Sequence, residues 1–395
     1  MMSNFGTLYF AEISKIFKKK SVLIALILGI SIILLLNVTY VSADGGINYI
    51  KEQRKVLVNL TGTPMDEEFF DNYNNEVHEQ MSSNPELYEK LAAYDPGTAF
   101  MNASNAIYKN DVFLSLYDVM RTRADVENLT ADNYYAKMRQ NIIDDANDMK
   151  VSSDELNVWL KEFDGIEKPM SYNYALGYYN SMNVLYVVGW AVFIVISISL
   201  SGVYADEKTN RTDAIILSTK KGRGPLCGAK ILAGTSAALI ETLLILGSCI
   251  LMLLVIYGFE GTGGHIQSII AASPWNITVG RMLGIYILLA IVTSMLFALS
   301  NMLVSHITDS SVLTMAIHTA ILFGGLFNVP ESMGAINKLW QLRPTLALYF
   351  GTFLNTFRYG ALNNVQCSLI IYAVLISLFT AIIAVSYQKA QVKSR

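Results

Sequence analysis

The sequence predicts an all-α integral membrane protein with six transmembrane helices and a large helical extracellular domain inserted between the first and the second. Of the 395 residues, 53% are hydrophobic and only 15% are charged, whereas ordinary soluble domains carry about 25% charge. The mean hydropathy is +0.38. The apolar residues lie in blocks of roughly 17–25, the length at which a helix crosses a bilayer. Only the polar segment 42–182 is long enough to fold as a separate domain.

Six apolar blocks are the candidate spans. They are continuous rather than alternating, which favours helices over the strands of a membrane barrel. The blocks are 21–41, 183–204, 231–257, 282–304, 312–329 and 368–387. The first block has an alternative interpretation as a cleaved signal peptide, since small residues end it at Ala43. Its apolar core of about 20 residues is longer than the usual 7–15, which favours a retained anchor.

The distribution of basic residues predicts the orientation. If the N-terminus is cytoplasmic, the inner segments hold 13 Lys and Arg residues and the short outer segments hold 4. The positive-inside rule then places both termini in the cytoplasm of a multi-pass protein of the cell membrane. Segment 42–182, with 24 acidic and 12 basic residues, becomes extracellular. Its own basic residues do not oppose this, because long loops cross largely regardless of charge.

The extracellular segment is expected to be helical. Val112, Leu116 and Val119 recur at spacings of three and four, which is the helical period. Close to the second span stand four tyrosines, Tyr172, Tyr174, Tyr178 and Tyr179. They fit an aromatic belt at the membrane interface, and a ligand-binding surface is the alternative. The acidic clusters of the segment likewise fit a solvated face, with attraction of cationic ligands as the alternative.

The sequence lacks the motifs of the common catalytic and cofactor sites. It has no P-loop, since residues 222–230 are glycine-rich but carry the wrong spacing. It also has no zinc-ligand spacing, no calcium loop and no serine-hydrolase elbow. We therefore expect no catalytic residue, no metal site, no cofactor bound by this chain and no nucleic-acid partner.

Segment 205–230, between the second and third spans, carries the strongest local signal. It reads as a short amphipathic helix, a glycine-rich break and a basic entry into the next span. Thr212 is a candidate helix cap, and Ile215, Ile216 and Leu217 supply an apolar stripe. An ordinary basic loop needs no such stripe, so a groove on a partner protein explains it better.

This segment resembles the permease subunits of type-2 ABC exporters, which carry E-x-x-x-G-T-x-x-x-L-L-S-T-P followed by R and then G-K. The matching positions are Glu207, Thr212, Ile216, Leu217, Ser218 and Thr219, with Arg223 and Lys230 in corresponding places. The chain departs from the pattern at Arg211 and Lys220, where the family often has Gly and Pro. Its Gly222-Arg223 pair is similar to a variant found among permeases of Gram-positive bacteria.

The N-terminal segment 1–20 also resembles the cytoplasmic, amphipathic elbow helix of that family, with Glu12 and Lys15 as its candidate interface residues. The resemblance implies a separate cytoplasmic ATPase that binds ATP-Mg, a second permease chain of the same or a different kind, and contact with membrane lipids. It implies ATPase docking by Glu207, Thr212, Ile215, Ile216, Leu217, Ser218, Thr219 and Arg223. It further implies an outer re-entrant segment at 331–364, for which a surface amphipathic helix is the alternative, and a short cytoplasmic tail.

Two polar residues inside apolar blocks are candidates for the translocation pathway. Glu241 lies about ten residues into the third span, ~15 Å deep and near the midplane. An intramembrane carboxylate is costly and is a functional candidate by default. The alternatives are a protonated carboxyl bonded to a neighbouring helix and a carboxylate that reaches a water-filled cavity. His318 in the fifth block is a possible partner.

The leading functional hypothesis is a permease subunit without enzymatic activity of its own, exporting a peptide, a lipid or an amphipathic antimicrobial compound. A membrane receptor or sensor is the second hypothesis, in which 42–182 binds a ligand and a partner chain produces the signal. A secondary transporter is the third, but the sequence shows neither the internal repeat nor the paired broken helices that are typical of that class.

Overall fold

The computed structural model describes residues 2–109, 111–219, 222, 224–330, 333–347 and 357–389. Helices dominate these residues, and two short strands, Arg358–Tyr359 and Leu362–Asn363, pair as an antiparallel hairpin. The prediction of a helical, multi-span protein is confirmed at this level.

The α-helices are numbered in chain order. They are α1 Met2–Phe17, α2 Lys20–Ala43, α3 Gly46–Leu57, α4 Glu67–Ser83, α5 Pro85–Tyr94, α6 Pro96–Tyr108, α7 Asp111–Met120, α8 Ala131–Asp148, α9 Ser153–Asp164, α10 Leu176–Leu200, α11 Gly202–Thr209, α12 Asp213–Ser218, α13 Pro225–Tyr257, α14 Val279–Thr308, α15 Ser311–Gly324, α16 Ala335–Trp340, α17 Pro344–Ala347 and α18 Asn364–Lys389.

Five helices of the described residues are long and apolar enough to cross a membrane: α2, α10 with its continuation α11, α13, α14 and α18. The fifth apolar block forms only the 14-residue α15, which is ~21 Å long and shorter than the ~30 Å core of a bilayer. The helix ends at Gly324, five residues before the end of the predicted block at residue 329. A count of six spans therefore stays a prediction.

The membrane helices have two distinct ends. At one end, which we call the elbow end, α1 contacts the start of α13, and Tyr387 near the end of α18 lies against Tyr204 and His306. At the other end, which we call the domain end, the chain enters the polar segment 42–182. Because α1 and the end of α18 both lie at the elbow end, the first and last described helices meet on the same side of the bundle.

The polar segment folds around a hydrophobic core of its own. Helices α3 to α9 supply this core, which includes Phe70, Phe100 and Phe163. Pro85 and Pro96 occupy the first turns of α5 and α6, where a missing backbone N–H costs nothing. Proline thus separates helices here, and a separate core is what allows this segment to act as a domain.

Hydrogen bonds join this domain to the membrane bundle. The Tyr257 hydroxyl and the Asn180 amide both donate to the Asp44 carboxylate, at 2.5 and 2.8 Å. Tyr174 and Tyr178 are buried and donate to the carbonyls of Tyr257 and Phe259. These two tyrosines therefore form an internal joint rather than the aromatic belt expected from their position close to the second span.

We predict that Phe100→Ala destabilises the polar domain by about 3–5 kcal/mol, because it empties a fully buried site that contacts Tyr73 and His78. Limited proteolysis of the purified protein should then cut the domain at lower temperature than in the wild type. Tyr94→Ala is the matched control, since 86% of Tyr94 is exposed, and it should change nothing. Equal protease resistance of the two variants would contradict the assignment of this core.

Candidate functional site

A buried lysine organises the elbow end. Lys230 lies in the second turn of α13, and only 1% of its side chain is exposed. Its Nζ is 2.8 Å from Glu12 Oε2 of α1 and 2.6 Å from Glu207 Oε1 of α11. Burying a charge is costly unless it is paired in good geometry. One ammonium group shared by two carboxylates therefore fixes three helices relative to one another.

Two neighbours complete this cluster. The Nζ of Lys230 lies 5.7 Å from the centroid of the Tyr204 ring, within cation–π range. Lys15 follows Glu12 by three residues in α1 and pairs with it, although most of the Lys15 side chain is exposed. Burial by itself raises the pKa of Glu12, but Lys230 and Lys15 outweigh it and hold that pKa below its usual 4.5. The stability that Glu12 contributes is therefore present near neutral pH and is lost as the pH falls through this lowered pKa.

Further ion pairs attach α11 to the bundle on both sides. Lys19, in the link between α1 and α2, lies 2.7 Å from Asp206. Lys208 pairs with Asp309 at the end of α14 and also donates to the carbonyl of His306. The segment between the second and third spans is therefore held by α1, α13 and α14 rather than projecting as a free loop.

The segment then turns into α12, a single short helix. Arg211 adopts a left-handed φ of 57° at this turn, a conformation that glycine adopts without cost, and glycine is the residue expected there from the resemblance. Thr212 occupies the cap position, but its hydroxyl donates backward to the carbonyl of Glu207 instead of capping α12. At the other end of α12, a Cβ on Gly222 would lie 1.7 Å from the Ile216 carbonyl oxygen, so this turn requires glycine.

The three apolar residues of α12 do not form one stripe. Ile215 is 68% exposed, Ile216 is half-buried and Leu217 is 7% exposed and belongs to the main core. Consecutive residues of an α-helix point about 100° apart, so three in a row cannot share a face. The hydroxyls of Ser218 and Thr219 donate to the carbonyls of Ile215 and Ile216. Arg223 lies outside the described residues.

Glu241 sits within the membrane bundle and is fully buried. Its Oε2 accepts a hydrogen bond of 3.1 Å from Ser199 of α10, and its Oε1 has no hydrogen-bond partner among the described residues. The adjacent Thr242 donates to Ser294 of α14 at 2.8 Å. Glu241 is thus part of a polar seam where α10, α13 and α14 meet.

His318 is not hydrogen-bonded to Glu241. Its Nδ1 lies 2.9 Å from the carbonyl of Thr314 and its Nε2 lies 3.0 Å from the hydroxyl of Ser300. Both ring nitrogens are therefore engaged on α14 and α15. The structure places the two pathway candidates in separate hydrogen-bond groups.

Sequence reasoning assigned no docking or interface role to Lys230 and did not connect it with Glu12. The two residues are 218 positions apart, and no local pattern relates them. A usable signal was present, however, because a lysine entering an apolar block needs a buried or interfacial counter-charge. The expected start of the third span at 231 also hid it, since α13 already begins at Pro225.

These features define a multi-span helical membrane protein whose connecting segment is locked to its first helix. The family described as ABC-2 family transporter protein matches residues 19–386. The chain therefore belongs to this family and is a membrane permease component of an ABC transporter, a class that is not itself catalytic. Comparisons with curated proteins and with solved structures find no match.

We predict that Lys230→Met destabilises the protein by about 3–5 kcal/mol, because it leaves Glu12 and Glu207 close together without their buried cation. Thermal unfolding in detergent should show a clearly lower transition temperature. Lys15→Met is the matched control, since this exposed lysine contributes less than ~1 kcal/mol.

A double variant makes this test specific. Adding Glu12→Gln to Lys230→Met removes one of the two stranded charges, so part of the lost stability should return. Additive losses in the double variant would mean that Glu12 and Lys230 are not coupled.

Proposed function

We propose that this permease is part of an exporter and that a separate cytoplasmic ATPase docks at segment 205–230. The exposed side chain of Ile215, on α12 directly after the anchored helix α11, is the observation that supports this most directly. An exposed apolar side chain between the exposed polar residues Thr212 and Ser218 fits a hydrophobic pocket on a partner. The resemblance to exporter permeases of Gram-positive bacteria supports the same role, with ATP-Mg bound by the partner.

The ion pairs of Lys230 support a path by which a displacement of α12 would reach α1 and α13. When nucleotide closes the ATPases, α12 is displaced together with α11. Glu207 then carries Lys230 and Glu12 with it, because separating these buried charges is costly. The helix α13 is 33 residues long, about 50 Å. It therefore conveys a tilt from the elbow end to the joint at Tyr257, 27 residues beyond Lys230.

The same proposal assigns the sides of the membrane. The lysine-rich elbow end, with both termini, is cytoplasmic, and 42–182 is extracellular, as the positive-inside rule predicts. The helices α16 and α17 and the adjoining hairpin, within 331–364, lie at the outer side, and Lys338 pairs there with Glu155 at 3.3 Å. Residues 331–332 and 348–356 lie outside the described residues, so the re-entrant course stays a prediction.

The pathway is completed by a second permease chain, the same or different, with lipids covering the remaining apolar faces. Exposed apolar side chains such as Leu23, Ile27 and Leu35 on α2 suit either neighbour. We infer a substrate that is a peptide, a lipid or an amphipathic antimicrobial compound, because permeases of this kind move such cargo.

We predict that Ile215→Asp abolishes co-purification of a P-loop ATPase from the native host, since it places a charge in the proposed pocket. Ile307→Asp is the control, because Ile307 is equally exposed at 68% and lies near the elbow end of α14. The tagged protein is purified in mild detergent and its partners are identified by mass spectrometry. An ATPase retained by Ile215→Asp would reject this docking position, and a kinase in its place would favour a receptor.

We predict that Glu241→Gln leaves transport within about twofold of the wild type. Glutamine keeps an acceptor for the Ser199 hydroxyl and fits the enclosed site between α10, α13 and α14. The measurement is efflux from cells or vesicles once a cargo is known. Loss of transport with normal folding would assign the Glu241 charge to the translocation pathway instead.

A further inference from the structure

A cavity of about 220 Å³ lies where the polar domain meets the membrane bundle. Its wall comes from α7, α8, the segment that leads into α10, and the loop 258–278. None of the residues that we assign to ATPase docking or to the elbow lines it. The site is therefore separate from the machinery of the proposed function.

Most of the wall is apolar or aromatic. Three methionines, Met65, Met138 and Met170, face the cavity with Tyr134 and Tyr172. Methionine is flexible and polarizable and packs well against aromatic rings. An apolar cavity of about 150 Å³ holds a benzene molecule, so 220 Å³ has room for one ring with a short arm.

Two polar residues of the wall, Gln267 and His265, each have a buried side-chain atom without a hydrogen-bond partner among the described residues. Gln267 is 6% exposed, and its side-chain nitrogen is committed to the carbonyls of Ser273 and Trp275. Its oxygen, Oε1, has no hydrogen-bond partner among the described residues, and the same holds for Nδ1 of His265, which also lines the cavity. The Gln267 oxygen is therefore a buried acceptor without a donor, which is costly, whereas the His265 nitrogen is a donor or an acceptor according to the tautomer.

Asp118 adds a negative charge to the cavity wall. Asp118 lines the cavity but is also exposed to solvent; its carboxylate makes no ion pair in the part of the chain that the structure describes, and neighbouring atoms raise its pKa by partial desolvation. A cation in the cavity would offset that desolvation. The chain itself supplies no cation among the residues that line this cavity.

We propose that this cavity binds a small apolar or aromatic molecule that carries a primary ammonium group. The ring occupies the methionine and tyrosine wall, and the ammonium group pairs with Asp118. The inference goes beyond the permease role, and it places a ligand against both the polar domain and the loop that follows α13. A free amine and the N-terminal residue of a peptide share this chemistry.

The test is isothermal titration calorimetry on the purified full-length protein, without any ATPase. We expect saturable binding of 2-phenylethylamine and at least about tenfold weaker binding of phenylacetate, which has a similar shape and the opposite charge. Asp118→Asn should weaken the amine about tenfold. Asp71→Asn, which removes an exposed carboxylate of α4 outside the cavity wall, should not.

Two further measurements make the result decisive. Ser115→Trp fills the cavity from its wall and should abolish amine binding while the unfolding temperature stays unchanged. The tripeptide Phe-Gly-Gly distinguishes the sources, since tighter binding than the amine indicates a peptide terminus and weaker binding a free amine. No saturable binding of 2-phenylethylamine, or equal binding of phenylacetate, would overturn the proposal and leave the ATPase docking untouched.

Discussion

The buried ammonium group of Lys230 is the constraint on which the elbow end depends. It is enclosed, it carries a full charge, and its two carboxylate partners come from different helices, α1 and α11. Exposed ion pairs on a protein surface contribute little, but a buried charge that loses a partner destabilises the structure strongly. The connecting segment therefore cannot leave the first helix without depriving the buried Lys230 of one of its two carboxylates. The segment between the second and third spans is thereby fixed to the membrane helices.

A second joint lies at the opposite end of α13 and has a different character. There Tyr257 and Asn180 donate to Asp44, and Arg54 pairs with Glu260 just beyond the helix. Hydroxyl and amide groups dominate, with one partly exposed ion pair. Because α13 ends in a joint on both sides, the proposed mechanism lets a tilt that starts at α12 reach the polar domain through one continuous helix. This arrangement fits the membrane component of an ABC transporter, whose energy comes from a partner chain.

Composition and the spacing of apolar residues predicted those features of the fold that depend on residues close together in the sequence. The five long apolar helices, the helical character of 42–182 and the position of the segment between the second and third spans all follow from periodicity and length. The sequence did not predict the features that depend on contacts between residues far apart in the chain. No spacing rule pairs Glu12 with Lys230, or brings Asp118 and Gln267 to one cavity. The apolar run Ile215 to Leu217 suggests a single stripe, but consecutive residues of a helix point in different directions and cannot share one face.

We infer that α1, α11 and the start of α13 move as one unit. Spin labels at exposed Phe10 of α1 and exposed Asn210 after α11 report on it directly, with half-buried Cys367 replaced by serine and the buried Cys227 and Cys249 left in place. Pulsed electron resonance then gives the label separation in the complex with its co-purified ATPase, with and without ATP-Mg. We expect a single distance between the two labels, and we expect ATP-Mg to leave that distance unchanged. A nucleotide-dependent change larger than the width of the distance distribution would show that the elbow and the connecting segment move independently, and would contradict this inference.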